Sequence, residues 1–342
     1  MVRKAGCEYT KWSKVVVFSP DLFDDIYYDD EYLKLYVHND EELFSFEYSE
    51  NKDIFINKSI KRPIRKIGNI EVDDGFYDLE GAYGYGGFYA NTDDGSFIKK
   101  AMEKYELKCR EENIISEFIR FHPFNSFLDK CSSFFDFNVC DREVVILDLG
   151  QDIISSYKKK VRSIVKKSLA DVEVLESDNI EKFIELYKST MLKNKADNFY
   201  YFDKCFFDKL LCLKQVKMFE VKHEGGVIAM AFFLFGKDIA HYHLSANSNE
   251  SYRLNSNYAL LHSLFEIAKK SNKKYFMLGG GSTASADDSL LAFKKKFSLQ
   301  TKGFHIAGKI YNQEIYDTYC KMWSSQAESD AKYFLKYRLD VC

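Results

Sequence analysis

The sequence predicts an α/β (α+β) protein whose mixed, mostly antiparallel sheet is flanked by helices. Two observations support this fold class. In the second half of the chain, strand-like and helix-like segments alternate, which is typical of helices packed on a sheet. Within that half, residues 216–246 indicate three successive strands joined by the turn sequences HEGG and GKD, as antiparallel hairpins require.

The first half of the chain contains a helix between predicted strands. Residues 96–113 carry apolar side chains at helical spacing, and the strand-like segment 114–121 follows directly. Pro123, within FHPFN, ends this strand pattern. Three earlier segments are rich in apolar residues or alternate apolar with polar side chains, and we predict short strands at 14–19, 43–49 and 53–57.

The second half begins with EVVILDLG, an apolar strand predicted at 143–150. Residues 152–169 are predicted to form one helix with an apolar face and a basic face, and Asp178 is the predicted N-cap of a helix at 179–192. The other predicted elements of this half are strands at 172–175, 273–281 and 301–310 and helices at 256–270 and 289–298.

Composition restricts the classes of protein to which the chain can belong. The formal net charge of −3 argues against a protein that coats nucleic acid, although residues 157–167 carry six bases and no acid. The eight cysteines form no CxxC pair, so zinc-ligand spacing is absent. No apolar run approaches the ~20 residues of a membrane span, and the first ten residues lack an apolar signal region. We therefore expect a cytoplasmic protein.

The segment DLEGAYGYGGFYAN, residues 78–91, combines glycines with tyrosines. A Rossmann-type phosphate cradle needs an apolar strand before the glycines and a helix directly after them, and this segment has neither. Two interpretations stay open: a structural turn with packed tyrosines, and the wall of a substrate groove. In the second, Gly86 allows close backbone approach, while Tyr83 and Tyr85 offer ring faces and hydroxyls to a substrate.

Four stretches share a characteristic order and spacing: YGYGGFYAN, EFIRFHPFN, YHLSANSNESYRLNSNYALLHSLFEIAKK and LGGGSTASADDSLLAFKKKFS. Together they resemble the GNAT acyltransferase superfamily, and in particular its FemAB-like and acetyltransferase-6 branch. The resemblance implies two GNAT-like halves, residues 1–142 with the wall of the acceptor groove and residues 143–342 with the acyltransferase site. It also implies transfer of an acyl group to an amine, with acyl-CoA or, in one branch, aminoacyl-tRNA as the donor.

Donor binding is expected at a helix start and at a strand end. The usual GNAT pyrophosphate loop contains glycines, whereas the corresponding SYRLNSNYALL contains none, as in FemAB-like relatives. Asn255, Ser256 and Asn257 open the helix instead, and its free N–H groups can still bind an anion. The glycines Gly279–Gly281 are a candidate anion nest, with a sharp turn as the alternative. Acyl-CoA and aminoacyl-tRNA both stay open as donors.

The resemblance also places candidates for chemistry. Phe293, Lys294 and Phe297 match the Phe-Lys-x-x-Phe pattern of FemAB-like proteins, in which this lysine matters for transfer. Carried over, Lys294 would stabilise an oxyanion or a donor phosphate. The two phenylalanines are more simply interpreted as helix anchors in the core.

Histidines and one arginine supply the remaining candidates. In EFIRFHPFN, Arg120 is a candidate for binding a phosphate or carboxylate, and His122 is a candidate general base; a salt bridge and a structural histidine are the alternatives.

In HYHLS, the histidines at 241 and 243 should face one side of a strand, with Tyr242 opposite. The resemblance sets this strand beside the transfer point, so His243 is a candidate base and Ser245 and Tyr242 are candidate substrate contacts. The sequence offers the histidine pair no third ligand nearby, and we predict no metal site.

We therefore predict a cytoplasmic GNAT-type N-acyltransferase of polysaccharide or cell-envelope biosynthesis. It would move an acyl group, acetyl or another, from acyl-CoA to an amine of a sugar nucleotide or other glycan precursor by direct attack. One alternative is a FemAB-like aminoacyltransferase that uses aminoacyl-tRNA. A second is a non-catalytic binding module on a GNAT fold that has lost its activity. The sequence predicts no oligomeric state.

Overall fold

One continuous sheet organises the protein. A computed structural model describes residues 20–194, 201–285, 287–329 and 331–341, and within them twelve strands form this sheet while two short strands form a separate ribbon. The strand predicted at 14–19 lies outside the described residues. None of the helices in the described part of the chain is both long and apolar enough to cross a lipid bilayer.

The first half of the chain contributes seven of the described strands. A short 3-10 helix, Ile26–Tyr28, precedes all of them. The strands are β1 (Glu42–Glu50), β2 (Asp53–Pro63), β3 (Lys66–Ile67), β4 (Ile70–Glu71), β5 (Tyr77–Glu80), β6 (Tyr89–Ala90) and β7 (Ile114–Arg120). The helices are α1 (Asp30–Lys34), α2 (Gly95–Glu111) and α3 (Phe127–Cys131).

The second half alternates helices and strands, as the sequence predicts. Its strands are β8 (Phe137–Asp148), β9 (Glu173–Ser177), β10 (Val216–His223), β11 (Gly226–Phe235), β12 (Ile239–Asn247), β13 (Tyr275–Gly279) and β14 (Thr301–Ile310). Its helices are α4 (Ile153–Ser156), α5 (Lys159–Asp171), α6 (Ile180–Asn194), α7 (Lys204–Cys212), α8 (Asn249–Leu254), α9 (Ser256–Lys270), α10 (Ser289–Lys294) and α11 (Gln313–Ser324).

The strand order links the two halves of the chain through exchanged strands. The order is β1-β2-β5-β7-β14-β8-β13-β12-β11-β10-β9, and β6 pairs with β2. Neighbouring strands are antiparallel except for β5 with β7 and β12 with β13. The late strand β14 lies beside β7 of the first half, and β8 lies between β14 and β13. The boundary expected after residue 142 falls inside β8, so this strand belongs to both halves.

Side chains of β11 show why helices cover both faces of this sheet. Met230, Phe232 and Leu234 belong to a cluster that includes residues of α6 and α7. Ala231 and Phe233 belong to the opposite cluster, with residues of α5 and α9. Because successive side chains of a strand point to opposite faces, this wholly apolar strand is buried on both sides.

The predicted mixed, mostly antiparallel sheet flanked by helices is confirmed, but two local predictions are wrong. The helix predicted at 152–169 is broken at Tyr157, whose backbone is extended and whose buried ring approaches His262. A new helix, α5, starts at Lys159, and the ring of Tyr157 is anchored in the core, so the helical spacing of the apolar residues does not produce one continuous helix. At α6, the side chain of Asn179, not that of Asp178, accepts the capping hydrogen bond, from Lys182 N–H at 3.0 Å.

Candidate active site

A gap between two parting strands defines the candidate site. The parallel strands β12 and β13 pair from Ile239 with Tyr275 to His241 with Met277. Beyond that point β12 continues to Asn247, whereas β13 ends at Gly279, which instead pairs with Val145 of β8 after a register shift. From this point on, β12 and β13 no longer pair with each other.

Lys294 reaches into this gap from α10. Asp288 caps that helix by accepting a hydrogen bond from Leu291 N–H at 2.9 Å. The Nζ atom of Lys294 donates to the carbonyl of Gly280 at 2.7 Å, and the residue is only 7% exposed. Among the described residues it forms no ion pair, so burial lowers the pKa of Lys294 to about 7; Asp288 opposes this shift and Arg142 adds to it.

Gly279 brings the two halves of the chain together at the amine. Its φ of +77° lies in the region that favours glycine. A Cβ atom at this position would lie 3.3 Å from Lys294 Nζ and 3.7 Å from the hydroxyl of Tyr85. The second-half amine and the first-half hydroxyl therefore face the same small space, as the groove-wall interpretation of the Gly/Tyr segment requires.

A β-bulge changes which side chains of β12 face Lys294. Phe233 pairs with Tyr242, and Ala231 pairs with Ser245. Between these two pairs, β11 has one residue and β12 has two, which defines the bulge. Tyr242 and Ser245 consequently share a face. The ring of Tyr242 lies 5.9 Å from Lys294 Nζ. Strand alternation would place Ser245 with His243; the structure places it on the other side.

His243 lies on the opposite side of β12, against aromatic rings. Its ring centroid is 5.5 Å from that of Tyr83 and 6.0 Å from that of Tyr32. Burial lowers the pKa of His243 to about 3, and His241 adds to the shift, so the imidazole is neutral at pH 7. Its Nε2 atom is buried and has no hydrogen-bond partner among the described residues. A neutral ring with an unused nitrogen is able to exchange a proton with a ligand.

The Gly/Tyr segment is held rigidly by residues near the start of the described chain. Tyr28 donates its hydroxyl hydrogen to the carbonyl of Gly86 at 2.7 Å, and Tyr32 donates to the carbonyl of Tyr83 at 2.7 Å. Gly84 has a φ of +109°, and a Cβ atom there would lie 2.2 Å from the ring of Tyr27. The glycine permits close packing, which fixes the loop that presents Tyr85.

His122 belongs to a buried cluster beneath this loop. The potential ligand atoms of Asp25, His122 and His241 all lie within 4.8 Å of one another. Asp25 Oδ2 is 2.9 Å from His241 Nε2, and Asp25 Oδ1 is 3.9 Å from His122 Nε2. Burial alone would raise the pKa of Asp25, but the two histidines lower it below its usual value. The structure thus supplies His241 with the neighbours that the sequence did not reveal.

The donor set of this cluster suits a metal ion poorly, although His122 Nε2 and His241 Nδ1 have no hydrogen-bond partner among the described residues. His122 Nδ1 accepts a hydrogen bond from Phe124 N–H at 3.2 Å. A neutral imidazole with an accepting Nδ1 carries its proton on Nε2, which then cannot bind a metal ion. Metal-bound histidines normally donate their other ring N–H instead. We therefore interpret the three side chains as a structural network that ties Asp25 to both halves of the chain.

Comparisons with known proteins identify the fold. No family model matches the sequence, and no curated protein is significantly similar to it. The crystal structure of FemX matches with a TM-score of 0.68 and 14% sequence identity, covering 88% of this chain and 94% of FemX. This chain has a FemAB-like GNAT fold. The fold that the sequence resemblance implies is confirmed.

Two further solved structures resemble this chain more distantly. L-PGS from Bacillus licheniformis matches with a TM-score of 0.52 and 12% identity, covering 79% of this chain and 84% of that one. The C-terminal domain of a proposed lysylphosphatidylglycerol synthetase from Agrobacterium fabrum also gives 0.52, with 15% identity and coverage of 84% and 88%. At these identities the comparisons establish the fold alone.

In this FemAB-like fold, the predicted donor residues lie beside α10. Asn255 has a φ of +56° and joins α8 directly to α9, and its side chain makes no capping hydrogen bond. Ser256 is buried, with its hydroxyl 2.6 Å from that of Ser251, and the side-chain oxygen of Asn257 is buried without a partner in the described chain. Lys296, just after α10, donates to the hydroxyl of Tyr258 at 3.0 Å, so the start of α9 and α10 are neighbours.

Arg120 lies apart from the gap. It donates to Glu80 at 2.5 Å and to the carbonyl of Gly81 at 3.2 Å. Glu80 and Arg120 come from the ends of β5 and β7, the other parallel pair of the FemAB-like sheet. In the first half, an ion pair therefore joins the ends of the parallel strands β5 and β7. In the second half, Gly279 and the gap lie at the ends of the parallel strands β12 and β13.

Sequence reasoning missed Arg142 as a neighbour of the site. Its Nη1 donates to the carbonyl of Gly281 at 3.2 Å, and its Nε pairs with Asp141. The predicted strand began one residue later, at 143, and β8 in fact begins at Phe137. The signal that could have revealed Arg142 is its position two residues before the apolar run VVIL at 144–147.

Proposed function

We propose that this chain is an acyltransferase that moves an acyl or aminoacyl group to an amine in the gap between β12 and β13. The observation that carries the proposal is the buried amine of Lys294, which hydrogen-bonds Gly280 beside Gly279 and faces Tyr85 of the other half. A buried lysine without an ion pair costs stability, and such costs are typical of functional sites. The FemAB-like fold supports the same class of reaction.

In this proposal, the acceptor amine attacks the donor's carbonyl carbon directly. The carbonyl π electrons move onto oxygen, where Lys294 and nearby backbone N–H groups would stabilise the negative charge. His243, which is neutral at pH 7 and whose Nε2 has no partner among the described residues, would take the proton from the attacking amine. His122 is less suited to that role, because its Nδ1 already accepts a hydrogen bond from Phe124 N–H. Collapse of the tetrahedral intermediate then expels the thiolate or alkoxide leaving group, which takes up the proton held by His243. No covalent enzyme intermediate is needed.

The binding roles follow the placement of the residues around the gap. Tyr83, Tyr85 and Gly86 of the first half, together with Tyr242 and Ser245 of β12, would contact the acceptor. The donor would lie along the strand exit and the start of α9, where the candidate residues are Gly279, Gly280, Gly281, Asn255, Ser256 and Asn257. Arg120 would take part only if a long acceptor extended across the first half. We propose a glycan precursor, such as a sugar nucleotide, as that acceptor.

A second candidate function is transfer from aminoacyl-tRNA. Two observations favour it: the overlap with FemX and the absence of glycine where α9 begins. Helix α5 carries Lys159, Arg162 and Lys166, which could meet RNA phosphates. A non-catalytic binding module is the third candidate, and it predicts no transfer with any donor.

Transfer to a panel of amines tests the proposed function. The chain is incubated with sugar-nucleotide amines and either acetyl-CoA or alanyl-tRNA, and the acceptors are analysed by intact mass spectrometry. We expect a covalent gain of one acyl group with one donor, and stabilisation of the chain by that donor in thermal shift. No transfer and no stabilisation with either donor would favour the binding module.

A further inference from the structure

Lys302 is a second lysine that is partly removed from water without an acidic partner. It lies on β14, opposite Val144 of β8, and its side chain is half-buried. Among the described residues its Nζ atom makes no hydrogen bond and no ion pair, and it lies 4.8 Å from the centroid of the Phe124 ring. Burial lowers the pKa of Lys302, and the carboxylate of Asp129 opposes this shift. An ammonium group beside a ring still has N–H donors available for an anion.

Lys302 shares a face of the sheet with the wall of the proposed acceptor site. Side chains two residues apart on a strand point the same way, so Lys302 and Phe304 face one side of β14. The ring centroids of Phe304 and Tyr85 are 5.3 Å apart, and those of Tyr85 and His122 are 5.7 Å apart. Burial lowers the pKa of His122 to about 3, and the positive charge of Lys302 adds to this shift. Lys302 therefore lies beside the tyrosine that faces Lys294.

Arg142 adds a second positive charge on this face. It is the direct partner of Phe304 across β8 and β14, and cross-strand partners point to the same side of a sheet. Its guanidinium group pairs with Asp141 and donates to the carbonyl of Gly281. Arg142 is thus bound within the protein, whereas the N–H donors of Lys302 are unused in the described part of the chain.

We propose, on the basis of the proposed function, that Lys302 determines specificity by binding a phosphate group of the acceptor. Phosphate oxygens accept charge-assisted hydrogen bonds from an ammonium group, and partial exclusion of water strengthens these bonds. A sugar nucleotide carries its phosphates on the sugar, so a phosphate held at Lys302 would direct the sugar toward Tyr85 and the gap. This contact would raise affinity for the acceptor without stabilising the reacting carbonyl, which distinguishes Lys302 from Lys294.

Binding of a sugar nucleotide tests this proposal without requiring transfer. The dissociation constant for UDP-glucosamine is measured by isothermal titration calorimetry, with and without inorganic pyrophosphate as a competitor. We expect Lys302→Met to weaken UDP-glucosamine binding roughly tenfold, which corresponds to the loss of one charge-assisted hydrogen bond. Lys302→Arg keeps the charge and the donors, and it should retain most of the affinity. Pyrophosphate should compete with UDP-glucosamine for the wild type and compete less well for Lys302→Met.

Lys309 supplies a matched control on the same strand. Its Nζ atom lies 4.7 Å from the centroid of the Phe134 ring and 3.9 Å from the carboxylate of Asp136, so it has both a ring contact and an ion pair. Lys309→Met removes a similar lysine–ring contact and should leave UDP-glucosamine binding unchanged.

The outcomes separate this proposal from the proposed function. Absence of UDP-glucosamine binding by the wild type, or equal affinities of the wild type and Lys302→Met, would overturn the phosphate contact at Lys302. Binding that depends on Lys302, without acyl transfer to any amine of the panel, would support the phosphate contact and count against the proposed function.

Discussion

Replacing Lys294 with methionine is expected to lower kcat for acyl transfer by roughly a hundredfold to a thousandfold. This is the loss typical of removing one donor that stabilises an oxyanion. The fold should tolerate the change, because methionine has a similar length and needs no hydrogen bond in a site that is 7% exposed. The measurement is the steady-state rate with the donor identified in the transfer assay. Lys296→Met, two residues away and exposed, is the matched control and should retain nearly full activity.

The wild type and the Lys294→Met variant should also differ in how their stability depends on pH. The pKa of Lys294 is about 7 in the folded chain, against an ordinary value of 10.5. Between these pH values the unfolded chain holds a proton that the folded chain does not, so this group makes stability rise with pH. Denaturant unfolding at pH 7 and pH 9 measures the free energy of unfolding of both proteins. Between these pH values it should rise more for the wild type than for Lys294→Met, by a difference approaching ~1.4 kcal/mol per pH unit. A parallel pH dependence of the two proteins would mean that the amine is solvated.

Replacing Gly84 with alanine is expected to destabilise the protein by about 3 kcal/mol or more. The φ of +109° is unfavourable for a residue with a side chain, and the new Cβ would overlap the buried ring of Tyr27, at 2.2 Å. The free energy of unfolding, measured with urea, reports the effect. Since this loop presents Tyr85 to the gap, the affinity for the acceptor should fall as well.

Gly81 supplies the control for this experiment. No atom lies within 4 Å of a Cβ built there, so Gly81→Ala should change stability by less than about 0.5 kcal/mol. Tyr27→Leu, combined with Gly84→Ala, should recover part of the loss, because the smaller side chain relieves the overlap. A Gly84→Ala protein as stable as Gly81→Ala would show that the loop moves away from Tyr27, and that it is not rigid.

The sequence predicted those parts of the fold that depend on local patterns. The three hairpin strands at 216–246 and the helix at 256–270 follow from turn residues and from apolar periodicity, and both are confirmed. The break at Tyr157 could not be predicted, because it depends on a pocket beside His262 that forms only in the folded core. The exchange of β8 and β14 between the halves likewise depends on pairings between distant segments.

The candidate site was only partly predictable for the same reason. Lys294 and the glycines at 279–281 could be located from a family resemblance, since a short motif carries them. The face of Ser245 depends on a bulge in β12, which no single-strand pattern reveals. Asp25 lies in a segment without any motif, and only its neighbour His241, distant in sequence, gives it chemical interest. The predicted roles of His122, His243 and Arg120 stay predictions.

The most direct test of this account is a crystal structure of the chain with its donor bound. Crystals are soaked with acetyl-CoA or with a non-hydrolysable alanyl-adenosine, according to which donor supports transfer. We predict that the acyl carbonyl lies in the gap between β12 and β13, with its oxygen within hydrogen-bond distance of Lys294 Nζ. A donor bound elsewhere, for example at the Glu80–Arg120 strand ends of the first half, would contradict the central claim that the second-half gap is the transfer site.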